Sequence, residues 1–258
     1  MSTQETAKNS IQVIERATAL LDALAEIAEP VSLKQLAQST GLHPSTAHRI
    51  LAALSNSRFV ERQDSGTYRL GIRLLELGNL VKSRINLREI ALPYMQRLHE
   101  QIGEAINLGI RNDDEIVYIE RTSSGRSLVR VVYLVGGRAP LHLTSVGKLF
   151  LSEDSAMAIR EYGKRTGLPG KTPHSLTTVA NLEKELDKIR RHGVAFDDEE
   201  AEIGLKCVAA PIHDDENRLV AGLSISAPTE RHNPAWIELV RQTADEISLA
   251  LGHRKPKK

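Results

Sequence analysis

The sequence predicts an α+β protein in two parts, an N-terminal winged helix-turn-helix joined by a linker helix to a larger mixed α/β domain. Three observations support this prediction. The N-terminal part shows three helical patterns and then a hairpin pattern, the next stretch is helical, and the remainder alternates strand-like runs with helices. The length of 258 residues also exceeds what one compact core usually contains.

The N-terminal part begins with an amphipathic helix. Apolar residues recur at helical spacing over 11–28, and the pattern ends at Glu29-Pro30 because proline cannot continue a helix. Ser32 is followed three residues later by Gln35, a capping-box pattern that starts a short second helix. The sequence therefore predicts two successive helices of unequal length.

A third helix and a hairpin complete the predicted winged helix-turn-helix. Gly41 tolerates the positive φ of a tight turn, and Pro44 fits the first turn of the helix that follows. The runs 59–62 and 67–70 are strand-like and flank a turn-forming segment, so they predict a two-stranded wing. Two short helices joined at a glycine and braced by a longer helix are typical of a trihelical helix-turn-helix.

The residues after the wing predict a linker helix and then a mixed domain. Helices are predicted at 72–84, 87–102, 145–151, 156–162, 179–192 and 235–251, and strands at 105–111, 115–121, 128–133, 194–197, 205–212 and 219–226. This order predicts a largely antiparallel sheet. The expected divisions are a disordered start at 1–9, the winged helix-turn-helix at 10–71, a linker at 72–86, the mixed α/β domain at 87–253 and a disordered tail at 254–258.

Composition indicates a soluble protein. Hydrophobic residues make up 41% and charged residues 26% of the chain. No apolar run is long enough to cross a membrane, and the first residues lack the layout of a signal peptide, so we expect a cytoplasmic location without a membrane partner. The single cysteine, Cys207, cannot form an internal disulfide.

The charge changes sign along the N-terminal part. Residues 1–42 carry three basic and five acidic groups, whereas 43–73 carry five arginines and two acidic groups. Burial of the apolar face of the third helix turns its polar residues outward. Any small helical pair has a polar outer face, but the basic wing beside this one favours binding to a duplex. The predicted DNA-binding residues are Ser32, His43, Ser45, Thr46, His48, Arg49, Arg62 and Arg69.

Three separated blocks resemble transcriptional regulators of the IclR type. The first runs from Leu36 to Leu51, the second is 140–148, and the third joins 196–200 to 204–211. The likeness covers about residues 11 to 251. It implies a homodimer, often paired into a dimer of dimers, that binds a pseudo-palindromic operator. It also implies a GAF-like domain that holds a small organic effector.

The resemblance further implies which residues bind the effector, namely Ser145, Val146, Asp197, Cys207, Ser224 and Ser226. Strand alternation independently places both of the last two hydroxyls on one side of a strand. The backbone N–H groups over 144–147 suit an anion at a helix N-terminus, and a plain N-cap is the other interpretation. Members of the family respond to small carboxylates and aromatic catabolites, so a small organic acid or aromatic metabolite is expected.

Some of these positions keep a second interpretation. A lone cysteine in an apolar strand, as at Cys207, is more often a small core residue than a nucleophile or ligand, so its place in the effector site is implied by the resemblance alone. The acidic segment 197–200 indicates, on composition, a solvated turn. A zinc site formed by His142, Asp197 and Cys207 has no supporting ligand spacing, so neither a metal nor a cofactor is expected.

Other classes of function find less support. Gly170-Lys171-Thr172 resembles the end of a phosphate-binding loop, but Arg165 stands where that loop requires its first glycine. The motifs of hydrolases, metalloproteases and dinucleotide-binding enzymes do not occur, so no catalytic residue is expected. The alternatives are an enzyme with an appended helical domain, or a DNA binder without an effector. The second needs only a small basic module.

Overall fold

The computed structural model describes residues 3–27, 29–82, 86–122 and 135–254. The chain divides into two compact units, 1–85 and 86–258. The predicted winged helix-turn-helix lies in the first unit, and the predicted α+β domain begins within one residue of the second. Among the residues with a described structure, none of the helices combines the length and hydrophobicity needed to cross a bilayer.

The N-terminal unit is helical with a small sheet. Its elements are α1 (Thr3–Ala25), β1 (Val31–Ser32), α2 (Leu33–Thr40), α3 (Pro44–Asn56), β2 (Val60–Arg62), β3 (Thr67–Leu70) and α4 (Ile72–Lys82). α1 begins at Thr3, inside the segment for which the sequence predicts disorder, and that segment holds no proline or glycine to stop a helix. α4 is the predicted linker helix, and residues 83–85 of that prediction lie outside the described ranges.

Local signals determine where the short helices begin and end. Ser32 caps α2 in the predicted capping box, because Gln35 N–H donates to the Ser32 hydroxyl and Ser32 N–H donates to the Gln35 side chain. Gly41 ends α2 at φ 66°, a left-handed conformation that glycine adopts without strain. Pro44 occupies the first turn of α3, as predicted.

The wing contains one strand more than the sequence predicts. β3 pairs with β2 in the expected hairpin, and it also pairs with β1, both antiparallel. Val31 lies opposite Tyr68 in this register, and both are buried in the core of the unit. The wing is therefore tied to the start of α2 as well as to the end of α3.

The C-terminal unit is a six-stranded antiparallel sheet with helices on both faces. Its elements are α5 (Leu87–Ile102), β4 (Ala105–Asn112), β5 (Glu115–Thr122), β6 (Arg138–Pro140), α6 (Ser145–Glu153), α7 (Ala156–Thr166), α8 (Val179–His192), β7 (Ala195–Asp198), β8 (Leu205–His213), β9 (Leu219–Pro228) and α9 (Trp236–Ala250). The strand order β6-β5-β4-β9-β8-β7 confirms the predicted antiparallel sheet. The predicted strand 128–133 lies outside the described residues, and β6 was not predicted.

The two faces of this sheet carry separate cores. Leu223 and Ile225 of β9 belong to the core that includes α5 and α9. Val146 of α6 belongs to the core on the opposite face. Strand alternation therefore places Ser224 and Ser226 on the face covered by α6, as the sequence predicts.

Glycines let α6 lie directly on the sheet. A Cβ added at Gly222 of β9 would lie 2.7 Å from Val146 Cγ1, and one at Gly109 of β4 would lie 3.2 Å from the same atom. The absence of side chains at these two positions leaves the space that Val146 fills. The start of α6 is thereby positioned above β4 and β9.

Candidate DNA-binding and effector sites

One side of α3 is polar and accessible. Ser45, His48 and Arg49 are exposed and Thr46 is half-buried, while the opposite side of the helix packs in the core. We call these four residues the α3 polar face. Arginine at such a face pairs bidentately with guanine, and short hydroxyl side chains bond phosphates or base edges, so the arrangement suits a major groove.

Three predicted DNA-binding residues also have structural partners. His43 caps α3, with its Nδ1 2.8 Å from Ser45 Oγ and accepting from Ser45 N–H. Ser32 is engaged in the cap of α2. These residues form the starts of α2 and α3, and direct DNA contact by Ser32, His43 and Ser45 stays a prediction.

The arginines of the N-terminal unit differ in their ion pairing. Arg69 pairs with Glu61 across the wing at 2.7 Å. Arg58 and Arg73 both pair with Glu76, and the hydrogen bond from Arg73 is the main reason that the pKa of this carboxyl is lowered. The other two arginines that are predicted to bind DNA are Arg49 and Arg62. Neither forms an ion pair within the described part of the chain. Their charges are the ones best available to a phosphate or a base.

A row of buried polar side chains crosses the sheet beneath α6. The strand register pairs Asp197 with Cys207 and Cys207 with Ser226, so three adjacent strands contribute one residue each. Asn107 of β4 continues the row, because its Nδ2 donates to Ser226 Oγ at 3.0 Å. Ser226 Oγ also lies 3.1 Å from Cys207 Sγ. These four residues, which we call the polar row, are at most 3% exposed.

The predicted effector-binding residues are brought together at this face. Ser224 lies opposite Asn107 in the register of β9 and β4 and is buried. Ser145 and Val146 are buried in the first turn of α6. Thr144 Oγ1 accepts from Gly147 N–H at 3.0 Å, which confirms the N-cap interpretation of this segment. The first N–H groups of a helix have no intrahelical acceptor, so a cap leaves room for an anion as well.

The acidic segment is solvated only in part, because Asp198 is exposed while Asp197 and Glu200 are buried, so its interpretation as a solvated turn is wrong for these two residues. Asp197 is 1% and Glu200 7% exposed. Asp197 Oδ1 accepts from the N–H groups of Glu200, at 2.8 Å, and Ala201. The fully buried Lys148 of α6 forms an ion pair with Glu200. A compensating charge from another element is what makes this burial possible, and composition does not reveal it.

Burial shifts the proton affinities in this cluster. It raises the pKa of Asp197 to about 7, and the nearby Lys148 opposes that rise. Burial likewise raises the pKa of Glu200, against the effect of the Lys148 charge. The pKa of the Tyr118 hydroxyl is raised well above its usual value, first by burial and then by the proximity of Cys207 and Asp197. Protonation of the Asp197 carboxyl therefore changes near neutral pH.

Several buried oxygens at this face lack a hydrogen-bond partner. Within the described residues, these atoms are Asn107 Oδ1, Asp197 Oδ2 and Glu200 Oε2. Buried polar atoms in folded proteins are nearly always paired, so such a group indicates a site that a bound molecule completes. Asn107 was missed by sequence reasoning. The available signal was an amide side chain in the otherwise apolar start of β4.

The residues considered for zinc have other partners. His142 Nδ1 lies 2.8 Å from the Tyr162 hydroxyl, and His142 Nε2 lies 3.2 Å from the Pro169 carbonyl oxygen. Burial is the main cause of the lowered pKa of His142. In the ranges with described structure, no three His, Cys, Asp or Glu side chains are arranged to hold a metal ion.

Comparison with known proteins gives matches over nearly the whole chain. The model of the IclR helix-turn-helix domain matches residues 13–64, and the model of the bacterial transcriptional regulator IclR C-terminal domain matches residues 80–249. The HTH-type transcriptional repressor AllR of Salmonella typhi is 35% identical over 259 residues, which cover 98% of this chain and 94% of AllR.

Solved structures agree with these matches. The repressor BlcR of Agobacterium tumefaciens is similar with a TM-score of 0.85 and 26% identity, over 96% of this chain and all of the BlcR chain. An IclR homologue of Microbacterium hydrocarbonoxydans, solved in complex with 4-hydroxybenzoate, has a TM-score of 0.60 and 26% identity, over 93% and 98% of the two chains. The predicted fold class and family are thus confirmed. The chain belongs to the IclR family of DNA-binding bacterial transcriptional regulators.

Proposed function

We propose that this protein is an effector-controlled transcription regulator, in which a small organic acid binds beneath α6 and changes the affinity for a pseudo-palindromic operator. The observation that carries the proposal is the buried polar row beside the first turn of α6, with oxygens that lack partners among the described residues. A core that only holds the fold together does not need buried polar groups without hydrogen-bond partners, because burying them costs free energy.

The DNA-binding half of the proposal uses two copies of the chain. The α3 polar face enters a major groove, and Arg62 of the wing contacts the backbone of the duplex. Exposed apolar residues on α1 (Val13, Ile14) and α4 (Ile72, Leu75) support association through these two helices. A dimer of this kind places its recognition helices about 34 Å apart, and pairing of dimers through the C-terminal units gives a tetramer.

The effector-binding half of the proposal depends on hydrogen-bond donors that can contact the acid group of the effector. The first N–H groups of α6, at Ser145 and Val146, and the hydroxyls of Ser224 and Ser226 suit a carboxylate. The complex of a related protein with 4-hydroxybenzoate supports an aromatic or similarly small acid. Such an effector shifts DNA binding only if it favours one arrangement of the protein over another.

The test measures DNA binding and thermal unfolding with the same acids. Fluorescence anisotropy with the DNA upstream of the protein's own gene gives the affinity, with and without a panel of small aliphatic and aromatic acids. We expect at least one acid to raise the melting temperature and to change the affinity. The double variant Ser224→Ala, Ser226→Ala should lose that response and keep unliganded DNA binding. Ser155→Ala, which removes an exposed cap of α7, is the control.

Two outcomes would contradict the proposal. If no acid changes either measurement, the protein does not sense this class of molecule. If the acid is consumed during incubation with the protein, the C-terminal unit is an enzyme and the regulator interpretation is wrong.

A further inference from the structure

We propose that Asn107 is a further effector-binding residue, and that it selects effectors carrying a hydrogen-bond donor, a hydroxyl or N–H group, in addition to their acid group. The inference rests on the proposed function, because it adds a second recognition element to the same site. The resemblance to IclR-type regulators did not imply Asn107 among the effector-binding residues.

The position of Asn107 places it at the site. It is fully buried, and its Nδ2 donates to Ser226 Oγ at 3.0 Å. Its register partner on β9 is Ser224. Two residues along β4, Gly109 lies under Val146. Asn107 is thus at the face of the sheet where α6 begins, between residues that the proposal already assigns to the effector.

The hydrogen bonding of Asn107 is incomplete. Its Oδ1 has no partner among the residues that the structure describes. Its neighbours Ile106 and Leu108 pack in the core on the other face of the sheet, so the Asn107 side chain faces α6. A purely structural residue here would be apolar or would have both ends of its amide paired. A bound molecule that satisfies Oδ1 explains both the residue type and the missing partner.

The chemistry of Oδ1 determines what it binds. A carbonyl oxygen only accepts hydrogen bonds, so its partner must donate one. An ionised carboxylate cannot do this, because it is also only an acceptor. The acid group is served by the N–H groups of Ser145 and Val146 and by the serine hydroxyls. Asn107 must therefore contact a different group of the effector, and a hydroxyl or N–H group meets the requirement.

The experiment uses pairs of acids that differ in one hydroxyl group. Isothermal titration calorimetry on the full chain gives dissociation constants for 4-hydroxybenzoate and benzoate, 4-hydroxybutanoate and butanoate, and lactate and propanoate. For the pair that binds most tightly, we expect the hydroxylated member to bind the wild type about tenfold more tightly, the effect of one good hydrogen bond. Asn107→Leu should bring this ratio close to one, whatever the change in affinity that both members share.

Matched variants separate this role from a general effect on the site. Ser224→Ala should weaken both members of each pair to the same extent, because its hydroxyl serves the acid group while the Asn107 amide stays bonded to Ser226 Oγ. Asn107→Ala repeats the test with a smaller side chain if leucine lowers the melting temperature, and unliganded operator binding checks the fold of each variant.

The outcomes distinguish the two proposals. Equal affinity of the wild type for both members of each bound pair overturns the role of Asn107, and this measurement needs no variant. A ratio that persists in Asn107→Leu also overturns it. Failure of every acid to bind the wild type overturns the proposed sensing function instead.

Discussion

The two units place their polar groups in opposite environments. In the N-terminal unit, the pair Arg69–Glu61 is 58% and 40% exposed. In the C-terminal unit, the pair Lys148–Glu200 is 0% and 9% exposed. Water satisfies an exposed group whose partner is lost, whereas a buried charge without its partner is strongly destabilising. The proposed DNA-binding surface can therefore change with little effect on stability, while the proposed effector site is part of the core that holds the fold.

The largest effect is expected from removing the buried cation. Lys148→Met leaves the Glu200 carboxylate in the core without its ion pair, and we expect the free energy of unfolding to fall by about 3 to 5 kcal/mol. Urea unfolding followed by circular dichroism measures the change. The matched exposed variant, Arg69→Met, should cost at most about 1 kcal/mol.

A second variant examines the cause of this loss. Adding Glu200→Gln to Lys148→Met removes the unpaired charge, so the double variant should be more stable than Lys148→Met alone. If the single and double variants are equally stable, loss of packing explains the effect and loss of the ion pair does not. The two units would then differ less in how strongly their ion pairs affect stability.

A change on the α3 polar face should affect binding and not folding. Arg49→Ala is expected to weaken operator binding by roughly 1 to 3 kcal/mol at fixed salt, if Arg49 contacts a base, with the free energy of unfolding nearly unchanged. Anisotropy titrations measure the affinity. Lys164→Ala removes another exposed charge, from α7, and should leave the affinity as it is. An unchanged affinity in Arg49→Ala would remove this residue from the DNA interface.

The stability of the C-terminal unit should also depend on pH. Burial raises the pKa of Asp197 to about 7, whereas the unfolded chain titrates near its ordinary value of about 4. Between these values the folded state holds more protons, so its stability falls as pH rises, by up to about 1.4 kcal/mol per pH unit. Below this window the contribution of the protonated carboxyl is fully present, and above it the contribution is lost.

The isosteric variant Asp197→Asn isolates this slope. The difference in unfolding free energy between wild type and variant, measured from pH 4 to pH 7, should decrease steadily with pH. Asp114 should change the unfolding free energy with pH in the opposite direction, because its hydrogen bond with Arg165 lowers the pKa of its carboxyl. The stabilisation from the ionised Asp114 is present near neutral pH and is lost as pH falls, so Asp114→Asn should be less stable than the wild type near neutral pH and approach it toward acid. A flat difference for Asp197→Asn would show that its carboxyl stays ionised.

Features set by neighbouring residues were predictable from the sequence. The capping box of Ser32 and Gln35 and the turn at Gly41 involve groups a few residues apart, and the structure has both. The helices 87–102 and 179–192 have the predicted bounds, because apolar periodicity and flanking caps agree there. Strand alternation correctly placed Ser224 and Ser226 on one side of β9, opposite Leu223 and Ile225.

Features that depend on distant residues were not predictable in the same way. Lys148 and Glu200 are 52 positions apart, and Asn107 and Ser226 are 119 apart, so no local pattern links them. The acidic segment was interpreted as solvated because composition carries no information about a buried cation on another helix. The third strand of the wing, β1, was also missed, because a strand of two residues shows no periodicity in the sequence.

The contact of Val146 with two glycines limits how the C-terminal unit can respond to a ligand. A side chain beneath the helix could rotate to make room, but Gly109 and Gly222 have no rotamer to change. Any molecule that entered between helix and sheet at this point would have to move Val146 or α6. A displacement of α6 would also move Lys148, which lies two residues after Val146. Entry of a ligand would then strain the buried ion pair between Lys148 and Glu200.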